Sequence, residues 1–475
     1  MVESMREIKR TKIVATWGPS CALPGMAEKL IAEGVDLFRL NFSHGSHDEK
    51  RAALEAIRAA AVTCNMPVGI IADLQGPKIR TGLMLNGSMQ LIDGSEVKIA
   101  VGEIQEHPDV IPTIYEGLVR DVRPGSRILL DDGRMELRVI CTDADMVRCL
   151  VVKGGMLKDK KGINLPLVNV SAPSLTEKDL EDLRFCAEIG VDWIALSFVR
   201  TRDDIVNIKV ELARLNCSIP VIAKIEKPEA VDNLDDIINV ADALMVARGD
   251  LGVEMEPEQL PLIQKRMIKA CNLAGKPVIT ATQMLESMTD NSRPTRAEAS
   301  DVANAILDGT DAVMLSGETA VGNYPLETVS TMAKIALTIE RSTLHNSHHL
   351  NPEGSEIDIA IARASSEAAE SLGAKAVVAM TESGHTAALL SGCRPNAPIL
   401  AITPDEGVRR MLSLHWGINS LLMQMQSNTD DMVAEAGRLL LANGFRVGDM
   451  VVMTMGAPLA ARNTTNQIRV FRLGE

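Results

Sequence analysis

Met245-Val246-Ala247-Arg248-Gly249-Asp250-Leu251-Gly252 is an apolar run that ends abruptly in a cation, a glycine and a carboxylate. It reads as a buried strand that delivers Arg248, a tight turn at Gly249 and the Asp250 carboxylate at its exit. Upstream, Val221-Ile222-Ala223-Lys224-Ile225-Glu226 has the same form, again closing on a cation and a carboxylate. Lys224 and Glu226 are two apart, so on a strand they share a side. Two neighbouring strands that each offer a carboxylate at one end, with a fixed cation between, make a seat for a metal ion and for phosphate chemistry.

Outward from this pair, short β-branched runs recur at residues 11–16, 35–40, 68–74, 192–198, 220–225, 243–247, 277–282 and 311–316. Amphipathic stretches at 27–33, 48–62, 177–188 and 258–273 have helical spacing. Eight strand–helix units predict an α/β fold, a (β/α)8 TIM barrel. The rhythm breaks between Leu74 and Asp192, where alternating segments are separated by Asn86-Gly87, Asp93-Gly94, Pro124-Gly125 and Asp132-Gly133. An all-β barrel domain inserted after strand three is expected, with Gly76-Pro77 and Leu165-Pro166 as hinges and a lid role over the barrel mouth. Residues 343–354 are polar and read as a linker, not as a histidine metal site. Strand patterns at 376–380, 399–403, 418–423 and 450–455 then predict a C-terminal open α/β domain. The expected division is 1–75 and 167–345 for the barrel, 76–166 for the insert and 346–475 for the C-terminal domain.

The chain has 475 residues, a net charge of -14 and only 2% aromatics, which argues against a nucleic-acid surface. Eight scattered cysteines form no C-x-x-C pair, and the polar start has no apolar signal core. No run reaches the roughly 18 apolar residues of a membrane span. A cytoplasmic protein is expected, with no nucleic acid and no membrane among its partners.

Barrel chemistry belongs at the C-terminal strand ends, and the unusual residues collect there. Strand two ends Arg39-Leu40-Asn41-Phe42-Ser43-His44-Gly45 and strand three at Asp73. Strands five and six give Lys224, Glu226, Arg248, Gly249 and Asp250; strands seven and eight give Thr282, Gln283, Ser316 and Glu318. Singly, each has a structural explanation, such as a lysine snorkelling to water. Their coincidence at one end of nearly every strand is what points to a catalytic site. Asp131-Asp132-Gly133 reads as a hairpin turn, and Lys160-Lys161-Gly162 as a turn that becomes a phosphate contact if the lid faces the mouth.

Arg10-Thr11-Lys12-Ile13-Val14, Arg39 through Gly45, Asp73-Leu74-Gln75-Gly76-Pro77-Lys78-Ile79-Arg80, Lys160 through Pro166, Ala223 through Glu226 and Met245 through Gly252 resemble pyruvate kinase. So do Ile279 through Met288, Pro294-Thr295-Arg296-Ala297-Glu298 and Leu315 through Thr319. The resemblance runs in order along the whole chain. It implies phosphoryl transfer from phosphoenolpyruvate to ADP, giving pyruvate and ATP, in glycolysis. By position it implies Glu226 and Asp250 as Mg2+ ligands and Lys224 as the cation that neutralises the transferring phosphoryl and the enolate. It implies Arg39, Gly249, Asp250 and Thr282 as substrate contacts, and Asn41, His44, Arg80 and Lys161 as nucleotide contacts. Asn41, Ser43 and Asp73 resemble the monovalent-cation site, and a homotetramer is implied.

Two departures stand out. Lys78 occupies the place where the potassium-dependent branch has Glu, so K+ is not expected to be required. In the C-terminal domain Thr381, Ser383 and Thr386 lie in a strand-to-helix loop that resembles the effector phosphate site. Yet no Lys or Arg occurs from Met411 to Gly437, where relatives activated by fructose bisphosphate hold a second phosphate, and the late loop 456–463 is poor in glycine. Two other readings stay open here: another Mg2+-dependent aldolase- or mutase-type barrel, and a sugar-phosphate sensor without activity.

Overall fold

The structure is a computed structural model and describes residues 9–342, 356–424, 426, 428–457 and 464–475. Eight parallel strands close into a barrel in sequence order: β1 (Lys12–Thr16), β2 (Leu37–Asn41), β3 (Gly69–Asp73), β4 (Trp193–Leu196), β5 (Val221–Ile225), β6 (Ala243–Ala247), β7 (Val278–Ala281) and β8 (Ala312–Leu315). Both faces of each strand are covered, so their sequences are continuous apolar runs and not alternating ones. The period of two still sorts the side chains. Val14, Ile71, Trp193, Ile222, Met245 and Met314 fill the barrel interior. Ile13, Ala72, Ile194, Ala223, Leu244 and Val313 meet the outer helices.

Helices Met26–Glu33, His47–Cys64 and Glu177–Ile189 fall where the spacing places them. The expected helix from residue 258 opens instead as a 3-10 turn, Pro257–Gln259, before Leu260–Leu273. Pro257 and Pro261 lack the N–H that any position past a first turn must donate. The Arg248-Gly249-Asp250 stretch also differs from expectation. It is the first turn of a short helix, Arg248–Glu254, not a tight turn.

The insert leaves the barrel after β3. Its six-stranded sheet runs in the order Ile163–Asn164, Arg127–Leu130, Met135–Thr142, Met146–Lys153, Glu96–Val101, Val110–Thr113, beside a ribbon of Ser88–Leu91 and Gly155–Lys158. The two sheet edges are joined by the segment 79–82. Ile163 N–H donates to the Ile79 carbonyl (2.9 Å), Thr81 N–H to Lys161 (2.8 Å) and Gly82 N–H to Pro112 (2.8 Å). A Cβ on Gly82 would fall 2.3 Å from the Glu103 carbonyl oxygen, so only glycine allows that closure. One hinge moves relative to expectation. Leu165 and Val168 are buried in the insert's own core, so the return to the barrel is made by residues 169–176.

The C-terminal domain is an open sheet in the order Ile418–Leu422, Ile399–Thr403, Ala376–Met380, Met450–Met455, Gln467–Arg472, the last strand antiparallel. That fifth strand was not anticipated. The expected linker, 343–354, and most of the late loop, 458–463, lie outside the described residues. This domain closes the N-terminal end of the barrel. Leu414 joins the interior cluster, Trp193 Nε1 donates to the Met411 carbonyl (3.1 Å) and Lys12 Nζ to the Ile418 carbonyl (2.7 Å). Only the opposite end is left for a site. Among the described residues no helix is long and apolar enough to cross a membrane.

Candidate active site

Lys224 is the penultimate residue of β5, aimed into the mouth. Its Nζ lies 3.0 Å from Asp73 Oδ1 and 2.8 Å from Glu226 Oε1 and donates to Ser197 Oγ at 2.7 Å. Burial alone would lower this ammonium's pKa, but Asp73 and Glu226 outweigh it and hold the group above its ordinary range. Asp73 is also paired with Arg39, whose Nε lies 2.6 Å from Oδ2. Burial works to raise the Asp73 carboxyl, and Lys224 and Arg39 together pull it below the usual carboxylate range. Glu226 is different. Burial and the nearby Asp250 charge raise it despite Lys224, and its Oε2 accepts the Phe198 N–H (2.8 Å). A buried carboxylate pushed towards neutrality beside an exposed one is a place where a further cation would be stabilising.

Thr282 follows β7 with φ 67, a left-handed conformation costing about 1–3 kcal/mol for a β-branched residue. It is held there because its Oγ1 accepts the Gly249 N–H (2.7 Å) and donates to the Ala281 carbonyl (2.6 Å). Lys78 lines one cleft with Arg80 and Asp250, where burial lowers its ammonium below the ordinary value against the pull of Asp250. His44 shares that surround. Burial first, then the charges of Lys78 and Arg80, depress its imidazole. Asn41 Oδ1 accepts the Ser43 N–H at 3.0 Å. Of the residues expected for a monovalent cation, Asp73 is held by two cations and Asn41 Oδ1 by a backbone N–H.

Between insert and barrel lies a cleft of about 520 Å³ lined by Lys78, Arg80, Lys160, Lys161, Lys227 and Asp250, with Asp131 and Asp132 on the insert side. Asp131 and Asp132 form the expected hairpin turn, both at positive φ. Lys161 is on the cleft wall, 2.8 Å from Asp131 Oδ1.

The family model described as pyruvate kinase, barrel domain, matches residues 8–329, and pyruvate kinase, alpha/beta domain, matches 359–471. The chain belongs to the pyruvate kinase family. It is a phosphotransferase that moves a phosphoryl group from phosphoenolpyruvate to ADP, giving pyruvate and ATP. It is 46% identical to a pyruvate kinase of Sporosarcina psychrophila, over 98% of this chain and 81% of that protein. It is 45% identical to one of Mycobacterium tuberculosis, over 98% of this chain and 99% of that one. The crystal structure of a pyruvate kinase from Cryptosporidium parvum superposes with a TM-score of 0.91 at 36% identity, covering 98% of this chain and 96% of that one.

Some expected site residues serve the scaffold of this pyruvate kinase-family barrel instead. Arg248 pairs with Asp301 (2.7 Å) and donates to the Thr282 carbonyl (2.7 Å), which keeps Thr282 in place. Glu318 is buried and accepts the N–H groups of Ser316 (2.6 Å) and Leu285 (3.2 Å). The effector candidates are in the other domain, where Thr381 Oγ1 accepts the Gly384 N–H (2.9 Å) and Thr386 pairs with Thr465 (2.7 Å). The reading missed the loop after β4, whose Ser197 and Phe198 hold Lys224 and Glu226. Its position at a barrel-strand exit was the available signal.

Proposed function

We propose that Lys224 and Arg39 stabilise the transferring phosphoryl group, that Glu226 and Asp250 hold Mg2+, and that the reaction needs no potassium. The donor set fits the metal: two hard carboxylate oxygens, one of them pushed towards neutrality by burial and by its partner's charge. Among the described residues no third metal-binding side chain joins them, which leaves room for substrate oxygens. When bound, Mg2+ supplies charge neutralisation on substrate carboxylate and phosphate. Gly249 leaves its backbone open to phosphoenolpyruvate. A Cβ there would come nearest to Thr282, at an ordinary 3.4 Å, so the protein's own packing does not require glycine. Thr282 lies beside it, at the substrate. Asn41, His44, Arg80 and Lys161 contact the nucleotide, and the insert, 76–166, closes over it as a lid.

The observation that carries potassium independence is that Lys78 is half-buried in the wall of the same cleft as Asp250, and not out in solvent. A tethered ammonium carries the single charge that a bound K+ would bring. Activity in a tetramethylammonium buffer, titrated with KCl at constant ionic strength, is expected to stay within about twofold. A rise of roughly tenfold or more in kcat with K+ would sink the reading. Lys78→Glu, a change of two charge units, is expected to create a potassium requirement.

The same reading places one effector phosphate at the helix His385–Gly392. Thr381 and Thr386 are engaged internally, which leaves its first N–H groups for the anion. With no Lys or Arg from 411 to 437, a second phosphate would be unpaired and costly to bury. A sugar or nucleoside monophosphate is therefore expected to activate better than fructose 1,6-bisphosphate at subsaturating phosphoenolpyruvate; a preference for the bisphosphate refutes it. A homotetramer in the cytoplasm completes the proposal and rests on the family resemblance.

A further inference from the structure

We infer that the loop after β4, residues 197–200, couples closure of the insert to the placement of Lys224 and Glu226, with Arg200 as the positioning residue at its outer end. This rests on the reading of the insert as a lid.

The inner end of the loop holds the catalytic pair. Ser197 Oγ accepts from Lys224 (2.7 Å) and donates to the Leu74 carbonyl (2.8 Å). The Phe198 N–H is aimed at Glu226 (2.8 Å) by a left-handed backbone, φ 57, that a phenylalanine adopts only under constraint. The middle of the loop touches the outgoing hinge. A Cβ on Gly76 would fall 2.7 Å from the Phe198 ring, and the Gly76 N–H is fixed at 3.1 Å on Asp179.

The outer end holds the returning hinge. Arg200 donates through Nη2 to the Ala172 carbonyl (2.8 Å) and through Nη1 to the Val170 carbonyl. Asp204 accepts both the Arg200 N–H (2.9 Å) and the Ser174 hydroxyl (2.6 Å). Ser171, between these, goes the other way, giving its N–H (2.8 Å) and hydroxyl (3.0 Å) to Asp121 of the insert. The hinge is thus a strap hydrogen-bonded to the barrel at 170, 172 and 174, and held to the insert by Ser171 and by the packing of Val168 and Val170 on its core. Movement of the insert pulls on Arg200, two residues of chain, Phe198 and Val199, hold Arg200 to Ser197, and Ser197 holds Lys224. The path is continuous hydrogen bonding and packing, not mere proximity.

The test begins with wild-type hydrogen exchange at 167–175, with and without ADP, Mg2+ and phosphoenolpyruvate. Slower exchange with substrates supports the lid; no change removes the lid and the coupling with it. Given a lid, Arg200→Gln is expected to lower kcat by roughly tenfold to a hundredfold, as small misplacements of reacting groups do. Its KM for phosphoenolpyruvate should stay within about threefold, because Arg39 is untouched. Combined with Ser197→Ala, its effect on kcat should be less than multiplicative, because both act through one loop. A kcat within about twofold of wild type with only the ADP KM raised, or fully multiplicative effects of the two changes, would overturn the coupling while leaving the lid standing.

Discussion

Lys224 must keep its charge in a place where burial opposes it, and Asp73 and Glu226 are what keep it ionised. Lys224→Met retains the apolar stem and removes only the cation. The change leaves buried carboxylates short of a partner, yet Asp73 still has Arg39, and Glu226 is already raised and can take a proton. The fold should survive, checked by circular dichroism, while kcat falls by roughly 10²–10³, as for loss of one preorganised charge-stabilising group. A variant retaining more than about a tenth of wild-type turnover would show that the role belongs elsewhere. The spacing of Lys224 and Glu226 made this pair legible in the sequence. Ser197 and Phe198 were not, because a hydroxyl and a ring at a strand end carry no chemistry until the fold sets them against Lys224 and Glu226. The reverse error befell Arg248 and Glu318. They sit at strand ends like the proposed site residues, and only their partners Asp301, Thr282, Ser316 and Leu285 show that they brace loops.

At the scale of elements, the motif Pro294-Thr295-Arg296-Ala297-Glu298 shows how a family signature can be structural. Thr295 caps helix Arg296–Leu307, with Glu298 reaching back to the Thr295 N–H (2.7 Å) in a capping box. Glu298 also accepts the Ser287 N–H (2.7 Å) and hydroxyl (2.5 Å), so it ties the helix start to the 3-10 turn Glu286–Thr289 beyond β7. Thr295→Ala should cost about 1 kcal/mol in a urea titration. Glu298→Ala should cost more, about 2–3 kcal/mol, because Ser287 also loses its partner. Equal costs would mean that the bridge to Ser287 contributes nothing. Barrel strands and capped helices were readable because burial on both faces and S/T-x-x-E starts leave marks in the sequence. The strand Gln467–Arg472 was not. It is an edge, and Arg469 and Arg472 on a largely exposed surface break the apolar run that signals a strand. The hinge at 169–176 is displaced from Leu165-Pro166 because proline marks stiffness, while burial, here of Leu165 and Val168 in the insert core, decides which body a residue belongs to.

The seam between barrel and C-terminal domain is a property of the whole molecule, and nothing local in the sequence announced it. Arg410 reaches Asp192 (2.9 Å) and Arg394 reaches Asp311 (2.8 Å) across it. His415 packs beside Trp193 at 6.1 Å. Burial, then the charges of Lys12 and Arg394, push the His415 imidazole down to about 3. At pH well above its ordinary value it is uncharged in both folded and unfolded chains and contributes no pH dependence. Below its ordinary value near 6.5 the unfolded chain takes up a proton that the folded seam refuses. Stability should therefore fall with pH by up to about 1.4 kcal/mol per unit from this group until the pH nears 3. Asp311 works in the opposite direction, since burial raises its carboxyl, so the wild-type curve alone cannot isolate the histidine. His415→Asn removes one contribution and keeps the other. Two of the three tryptophans, Trp193 and Trp416, are at the seam and report on its opening. Fluorescence melts of wild type and His415→Asn at pH 7 and pH 5 should show the wild type losing more on acidification. The variant, destabilised at pH 7 by its lost packing, should close the gap at pH 5. Parallel losses in the two proteins would mean that His415 is protonated within the folded seam or lies outside the unit that melts.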